Sequence, residues 1–212
     1  MILRRDDPGY PALLRAIADP PDRLYVRGTI PSGCMIAVVG SRRATPYGLR
    51  VAERLARELA GLGVVVVSGL ARGVDAAAHR GALAAGGQTV AVLAGGLDRI
   101  YPPEHASMAE QIAGQGALLS EARDGTAPLP GLFPVRNRII SGLSRGLVVV
   151  EAAERSGALI TARMALEQGR EVFAVPGSIE NPLTAGTHGL IRDGAGLVQG
   201  VEDVLAEFPD LA

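Results

Sequence analysis

The alternation of short apolar runs with longer amphipathic segments constrains the fold of this chain more than any other feature. Seven runs dominated by apolar residues are bounded by glycines or turn residues, at 35–39, 64–67, 89–93, 117–119, 147–150, 171–175 and 196–198. Helical periodicity fills most of the intervals, at 47–62, 74–85, 104–113, 158–168 and 201–207. Apolar strands separated by helices pair in parallel and are covered on both faces. The pattern therefore predicts an α/β protein with an extended Rossmann-like, doubly wound, mostly parallel sheet and helices on both faces.

Two proline-containing segments interrupt this alternation. Residues 6–27 carry four prolines, and we interpret them as a helix followed by an extended entry strand at 24–26. Residues 125–134 carry three prolines and predict a loop before a helix that begins near Asn137. We therefore divide the chain into an N-terminal helical and extended entry segment, 1–30, and one large α/β domain, 31–212.

Composition narrows the possible functions. The longest apolar stretch is far shorter than the roughly 20 residues that span a membrane, and no signal peptide is recognisable, so we expect a cytoplasmic protein without membrane contact. The net charge of −1 requires any nucleic-acid site to be local. All 21 basic residues are arginine, which excludes Schiff-base lysines and the Walker-type phosphate lysine. Arginine favours bidentate recognition of phosphate.

Small residues follow the first three strands of the predicted sheet. Gly40, Ser41 and Arg42 follow the first, Ser68 and Gly69 the second, and residues 94–98 the third. A single such loop is more often the tight turn into a helix, but three at one sheet edge favour an anion site. None of them spells the dinucleotide fingerprint or a P-loop, which argues against a classical NAD or ATP site.

The segment 133–144 carries the densest group of candidate ligands. Arg136, Asn137 and Arg138 stand at the predicted helix start, where guanidinium groups, an amide and backbone N–H groups can converge on one phosphate. Phe133 offers a ring on which a base can stack. The alternative makes Asn137 an N-cap, the arginines a solvated helix face and Phe133 a core anchor.

A further strand, loop and helix start lies at 147–168. Its loop supplies small and hydroxyl residues, Ser156, Gly157 and Thr161, at the same predicted sheet edge. Together with two further loops of small residues, 175–178 and 184–189, we expect them to complete a ring around the ligand.

These strings, in their order and spacing from about 19 to about 204, resemble the DprA (Smf) family. The resemblance rests on Gly40-Ser41-Arg42, on 68–79, on 133–143, on 156–162 and on 169–177. It implies an extended Rossmann domain that binds single-stranded DNA, forms a homodimer and helps to load the RecA recombinase in natural transformation. By motif, it places these residues in the DNA site: Gly40, Ser41, Arg42, Ser68, Gly69, Arg136, Asn137, Arg138, Ser156, Gly157 and Thr161. The chain departs from the pattern of the many members that carry an N-terminal SAM-like domain and a C-terminal winged-helix domain. We expect 1–30 to be a remnant of the former, 31–212 to be the DNA-binding domain, and the winged-helix domain to be absent.

Catalysis has weaker support. Asp75 and His79 are four residues apart and can share one helix face as a carboxylate and imidazole pair, but we favour a structural tie between helix and loop. Glu121 and Glu151, at strand ends, are either ligand-orienting carboxylates or loop anchors. No pattern of nucleophile, base and oxyanion donors is recognisable, and no metal-ligand spacing is present, so we expect a non-enzymatic protein without metal or cofactor. The alternatives are a nucleotide-binding sensor and a nucleoside-monophosphate hydrolase with a related pocket; residues 154–161 lack the expected hydrolase signature.

Overall fold

The computed structural model describes residues 1–211 and contains one nine-stranded sheet. Its strands are β1 (Ile2–Arg4), β2 (Arg23–Gly28), β3 (Met35–Val39), β4 (Val65–Ser68), β5 (Thr89–Leu93), β6 (Ala117–Ser120), β7 (Gly146–Val149), β8 (Glu171–Ala174) and β9 (Gly196–Leu197). They lie in the order β1-β2-β6-β5-β4-β3-β7-β8-β9. Strands β3 to β9 pair in parallel, whereas β2 is antiparallel to β6 and β1 to β2. The predicted fold class is confirmed.

Eight α-helices are present within residues 1–211. They are α1 (Ala12–Arg15), α2 (Pro46–Gly61), α3 (Val74–Ala84), α4 (Ala106–Gln115), α5 (Leu132–Leu143), α6 (Gly157–Glu167), α7 (Ala185–Arg192) and α8 (Val201–Leu205). One α-helix follows each strand from β3 to β8 in the chain, which gives the crossovers that parallel pairing requires.

The helices cover both faces of the sheet, as the central strand shows. Met35, Ala37 and Val39 pack with α1, α5 and α6 on one face. Ile36 and Val38 pack with α2, α3 and α8 on the other. Side chains alternate between faces along a strand, so a strand that is apolar throughout must be buried on both sides. This explains why the strands were recognisable as continuous apolar runs.

The N-terminal segment is built into the same sheet. Strand β2 pairs with β6 and carries β1 on its outer side, and Leu14 of α1 is buried in the core beneath α5. Strand β1 was not predicted. The derivation of residues 1–30 from a SAM-like domain stays a prediction, and the end of the predicted domain at Ala212 lies outside the described residues.

Two helices differ from the prediction. Helix α5 begins at Leu132, five residues before the expected start near Asn137. Its third residue is Pro134, which the first turn of a helix accepts because the missing N–H would have no partner there. Helix α7 was interpreted as a loop of small residues, but Gly186 is small because a side chain there would meet the carbonyl oxygen of Ala152.

Candidate anion-binding pocket at the switch point of the sheet

The pocket lies where the chain reverses its direction across the sheet. From β3 the chain builds β4, β5 and then β6 on one side, and then returns to place β7 on the other side of β3. The loops that leave β3 and β7 at their carboxyl ends therefore diverge towards opposite faces, and such a crevice is the usual ligand site of open α/β sheets. A cavity of about 840 Å³ opens here.

The cavity brings together most of the residues that the sequence predicted for the site. The predicted residues that line it are Gly40, Ser41, Arg42, Phe133, Arg136, Asn137, Ser156, Gly157 and Thr161. Ser68, Gly69 and Arg138 do not line it. Arg43, Tyr101 and Arg155 also line it and were not predicted. Arg43 and Arg155 are chain neighbours of predicted residues, whereas nothing in the sequence around Tyr101 indicated the pocket.

Three exposed arginines form the rim of the pocket: Arg42, Arg43 and Arg155. Within residues 1–211, none of the three has a carboxylate oxygen within 4.0 Å, although arginines elsewhere, such as Arg72 and Arg138, are paired with carboxylates. The three guanidinium groups at this opening thus have no directly paired carboxylate, and the carboxylate among the lining residues, that of Asp75, is buried. We call the site the arginine-rimmed pocket.

Two aromatic rings lie beside the rim. The guanidinium carbon of Arg42 is 4.7 Å from the centre of the Phe133 ring, a cation–π distance. The Tyr101 ring is 6.0 Å from that of Phe133 and tilted by 58°. Tyr101 is 45% exposed and Phe133 half-buried, and Phe133 lines the pocket rather than the buried core. Stacking of a base on its ring stays a prediction.

Arg136 lies at the floor of the pocket and is 5% exposed. Its Nη1 donates to the carbonyl oxygen of Gly69 at 2.8 Å and to that of Val92. Burial lowers the pKa of this guanidinium to about 10. The expectation of a helix start that offers free N–H groups beside Arg136 is wrong, because α5 begins one turn earlier, and Arg136 ties the ends of β4 and β5 together from below.

Asp75 shares the floor with Arg136 and is 6% exposed. Its Oδ2 accepts hydrogen bonds from the backbone N–H groups of Gly69 at 3.1 Å and Ala71 at 3.4 Å. Burial raises the pKa of Asp75, and the guanidinium of Arg136 opposes that rise. His79 instead contacts Thr89, through Nδ1 at 2.7 Å from the hydroxyl oxygen. The carboxylate and imidazole pair therefore does not form, and the structural interpretation is supported.

The other candidate charged groups are anchors. Arg138 points away from the pocket and forms ion pairs with Asp19 at 3.0 Å and Glu121 at 2.9 Å. Glu151 is fully buried and accepts from the backbone N–H of Thr45 at 2.8 Å and from its hydroxyl at 2.6 Å. Arg138 therefore joins the N-terminal segment to α5, and Glu151 caps the start of α2.

Two further features bear on function, a metal-binding cluster and a membrane-spanning helix. Residues 1–211 contain no group of three or more His, Cys, Asp or Glu side chains placed to hold a metal ion. Over the same residues, no helix combines the length and the apolar character needed to cross a membrane.

Fold and site together define a Rossmann-like protein with an arginine-rimmed pocket at the switch point of its sheet. Comparison with known proteins gives the family. The family model of DNA recombination-mediator protein A matches residues 1–209, and the chain belongs to that family.

Individual relatives agree with this assignment. The chain is 46% identical over 204 residues to DNA processing protein DprA of Bacillus subtilis, covering 95% of this chain and 69% of that one. It is 49% identical over 207 residues to protein Smf of Escherichia coli, covering 96% of this chain and 55% of that one. A solved structure of DNA processing protein A from Helicobacter pylori, described for its single-stranded DNA binding mode, superposes with a TM-score of 0.87 at 31% identity, covering 99% and 95% of the two chains. The chain thus spans between about half and two thirds of the length of the first two relatives.

Proposed function

We propose that this protein binds single-stranded DNA in the arginine-rimmed pocket. The observation that carries the proposal is the set of three exposed arginines without carboxylate partners, gathered at the switch point beside two aromatic rings. Phosphate diesters supply the counter-charge that the rim lacks. The binding mode described for the Helicobacter pylori relative supports the same ligand.

In this proposal the strand is held mainly by its phosphates. Arg42, Arg43 and Arg155 bind successive phosphates, and Asn137 and the N–H groups at the start of α6 add neutral donors. Bases stack on Tyr101 and Phe133, which every base can do because each has a π-face. With only seven Phe and Tyr residues in the whole chain, such platforms are few, so sequence preference is weak.

The predicted set of DNA contacts is modified. We assign the direct contacts to the rim arginines, Asn137 and the loop residues Gly40, Ser41, Ser156, Gly157 and Thr161. Arg136 is assigned a positioning role, because both of its hydrogen bonds go to backbone carbonyls. Ser68, Gly69 and Arg138 are left out of the contact set.

The wider role follows from the family. We propose a cytoplasmic, non-catalytic protein that forms a homodimer, protects incoming single strands and helps to load RecA. The alternatives are a nucleotide-binding sensor and a nucleoside-monophosphate hydrolase in the same pocket. Neither has an observation in its favour beyond the pocket itself.

Fluorescence anisotropy with a labelled oligo-dT strand tests the proposal, with the same strand in duplex form and dTMP as competitors. We expect tight binding of the single strand, weaker competition by duplex, negligible competition by dTMP and no release of free base. Equal affinity for duplex and single strand would overturn the assignment, and tight dTMP binding or base release would favour the sensor or the hydrolase.

A further inference from the structure

The floor of the pocket already holds an anion, the carboxylate of Asp75. The two N–H groups that bind it, from Gly69 and Ala71, flank Leu70, whose φ of +58° is the single positive value among non-glycine residues of the described chain. A left-handed residue between two others turns successive N–H groups towards one point and creates a concave anion site. The fully buried Leu70 side chain and the hydrogen bond that His105 Nδ1 donates to the Leu70 carbonyl oxygen at 2.8 Å hold this conformation.

The position of this carboxylate is one where a ligand phosphate can bind in this fold. It lies near the carboxyl end of β4, in the first turn of α3 and against the loop that leads into that helix, and Asp75 lines the same cavity as the rim arginines. The donors around it are two backbone N–H groups with the buried guanidinium of Arg136 nearby, a set that suits phosphate as well as carboxylate. In this protein the donor set is satisfied by the chain itself.

Removal of the carboxylate would leave strong, preorganised donors. Arg136 is nine-tenths buried, and its Nε has no hydrogen-bond partner among residues 1–211. With Asp75 in place, a second anion at the floor meets a like charge at short range in a buried setting, where such repulsion is weakly screened.

We infer that Asp75 is a specificity-determining residue, which occupies the anion position at the pocket floor and thereby excludes the terminal phosphate of a free nucleotide. This inference rests on the proposed binding of single-stranded DNA. A phosphate monoester carries close to two negative charges and would need the floor, whereas the diesters of a strand need only the rim. The floor therefore selects polymer over monomer, although both carry the same chemical groups.

Substitution of Asp75 tests the inference. Asp75→Asn keeps the shape and removes the charge, Asp75→Ala empties the position, and Asp193→Ala removes an exposed carboxylate outside the pocket as a control. Calorimetric titration with inorganic phosphate, dTMP and oligo-dT gives the affinities, and circular dichroism reports folding. We expect both Asp75 variants to bind phosphate and dTMP at least about tenfold more tightly than the wild type, since a like charge is removed. The ratio of oligo-dT to dTMP affinity falls accordingly, and Asp193→Ala changes neither.

The outcomes separate the two proposals. A folded Asp75→Asn variant with unchanged affinity for phosphate and dTMP overturns the inference. If Asp75→Ala is destabilised, added phosphate is expected to raise its thermal midpoint more than that of the wild type, and equal shifts would count against the inference. A wild-type protein that fails to bind oligo-dT overturns the proposed function, while the phosphate titrations still show whether Asp75 blocks the floor.

Discussion

Acidification is predicted to destabilise the protein through His79, which is fully buried on α3. Its Nδ1 lies 2.7 Å from the hydroxyl oxygen of Thr89, and that hydroxyl donates to the carbonyl oxygen of Val66 at 2.7 Å. The proton of the Thr89 hydroxyl is used in the bond to Val66, so His79 Nδ1 must donate to the hydroxyl oxygen. Nε2 is then the unprotonated nitrogen of the ring. Nε2 has no hydrogen-bond partner among residues 1–211. A proton there would place a charged N–H in a site without an acceptor, and burial accordingly lowers the pKa of His79 to about 3.

The size of the effect follows from linkage. An unfolded chain takes up a proton on histidine below about pH 6.5, whereas the native state stays neutral until about pH 3. The contribution of His79 to stability is therefore complete above pH 6.5 and decreases as the pH falls towards 3. At about pH 5 the loss amounts to about 2 kcal/mol relative to about pH 8.

Urea unfolding followed by circular dichroism at these two pH values measures the loss. Carboxylates also titrate in this pH range. The contribution of His79 is therefore obtained by comparing the stability loss of the wild type with that of a variant that lacks this histidine. His79→Gln removes the titrating group and is expected to lose about 2 kcal/mol less on acidification than the wild type. His188→Gln retains His79 and serves as the control. The reasoning fails if His79→Gln and the wild type lose equal stability.

Four further substitutions test the packing around the site and in the helices. Arg136→Ala leaves the neighbouring carboxylate buried without its counter-charge and should lower the free energy of unfolding by about 3–5 kcal/mol, whereas exposed Arg42→Ala should cost about 1 kcal/mol or less in the same urea assay. Similar losses of unfolding free energy in the two variants would show that Arg136 does not hold the ends of β4 and β5 together. Gly81→Ala places a methyl group against the carbonyl oxygen of Glu53 and should destabilise by about 1–3 kcal/mol. Gly114→Ala meets open space in helix α4 and should stabilise by up to about 1 kcal/mol in thermal unfolding. If Gly81→Ala were more stable than Gly114→Ala, the close packing of α3 against α2 at Gly81 would be contradicted.

The sheet was predictable because its strands are apolar on both faces. A parallel strand covered on two sides cannot alternate with polar residues, so each run stood out, and glycines marked its end. Strand β1, at the sheet edge, has exposed and half-buried residues and offered no such contrast. The predicted start of α5 lies too late in the chain because of Pro134. Proline breaks the interior of a helix but is accepted in its first turn, and only tertiary contacts decide which position it takes.

The site was predictable at the level of loops but not of side-chain direction. Arg136 and Arg138 are two residues apart on α5, about 200° around the helix, so they cannot face the same pocket. Because the start of α5 was not known from the sequence, Arg136 could not be assigned to the pocket floor or Arg138 to the contact with the N-terminal segment. The contact between Asp75 and the loop before α3 depends on a left-handed Leu70, a conformation that this residue type does not signal.

The most direct test of the central claim is the salt dependence of oligo-dT binding, measured by anisotropy for the wild type, Arg42→Ala and Arg57→Ala. Arg57 lies in the later part of α2, away from the pocket, and is paired with Glu53. Three rim arginines bound to a single strand predict a slope of about −2 for log affinity against log salt concentration. Loss of one arginine should make this slope less steep by about 0.7. We expect Arg42→Ala to bind more weakly with this flatter slope, and Arg57→Ala to match the wild type. Equal slopes and affinities for all three proteins would contradict the account.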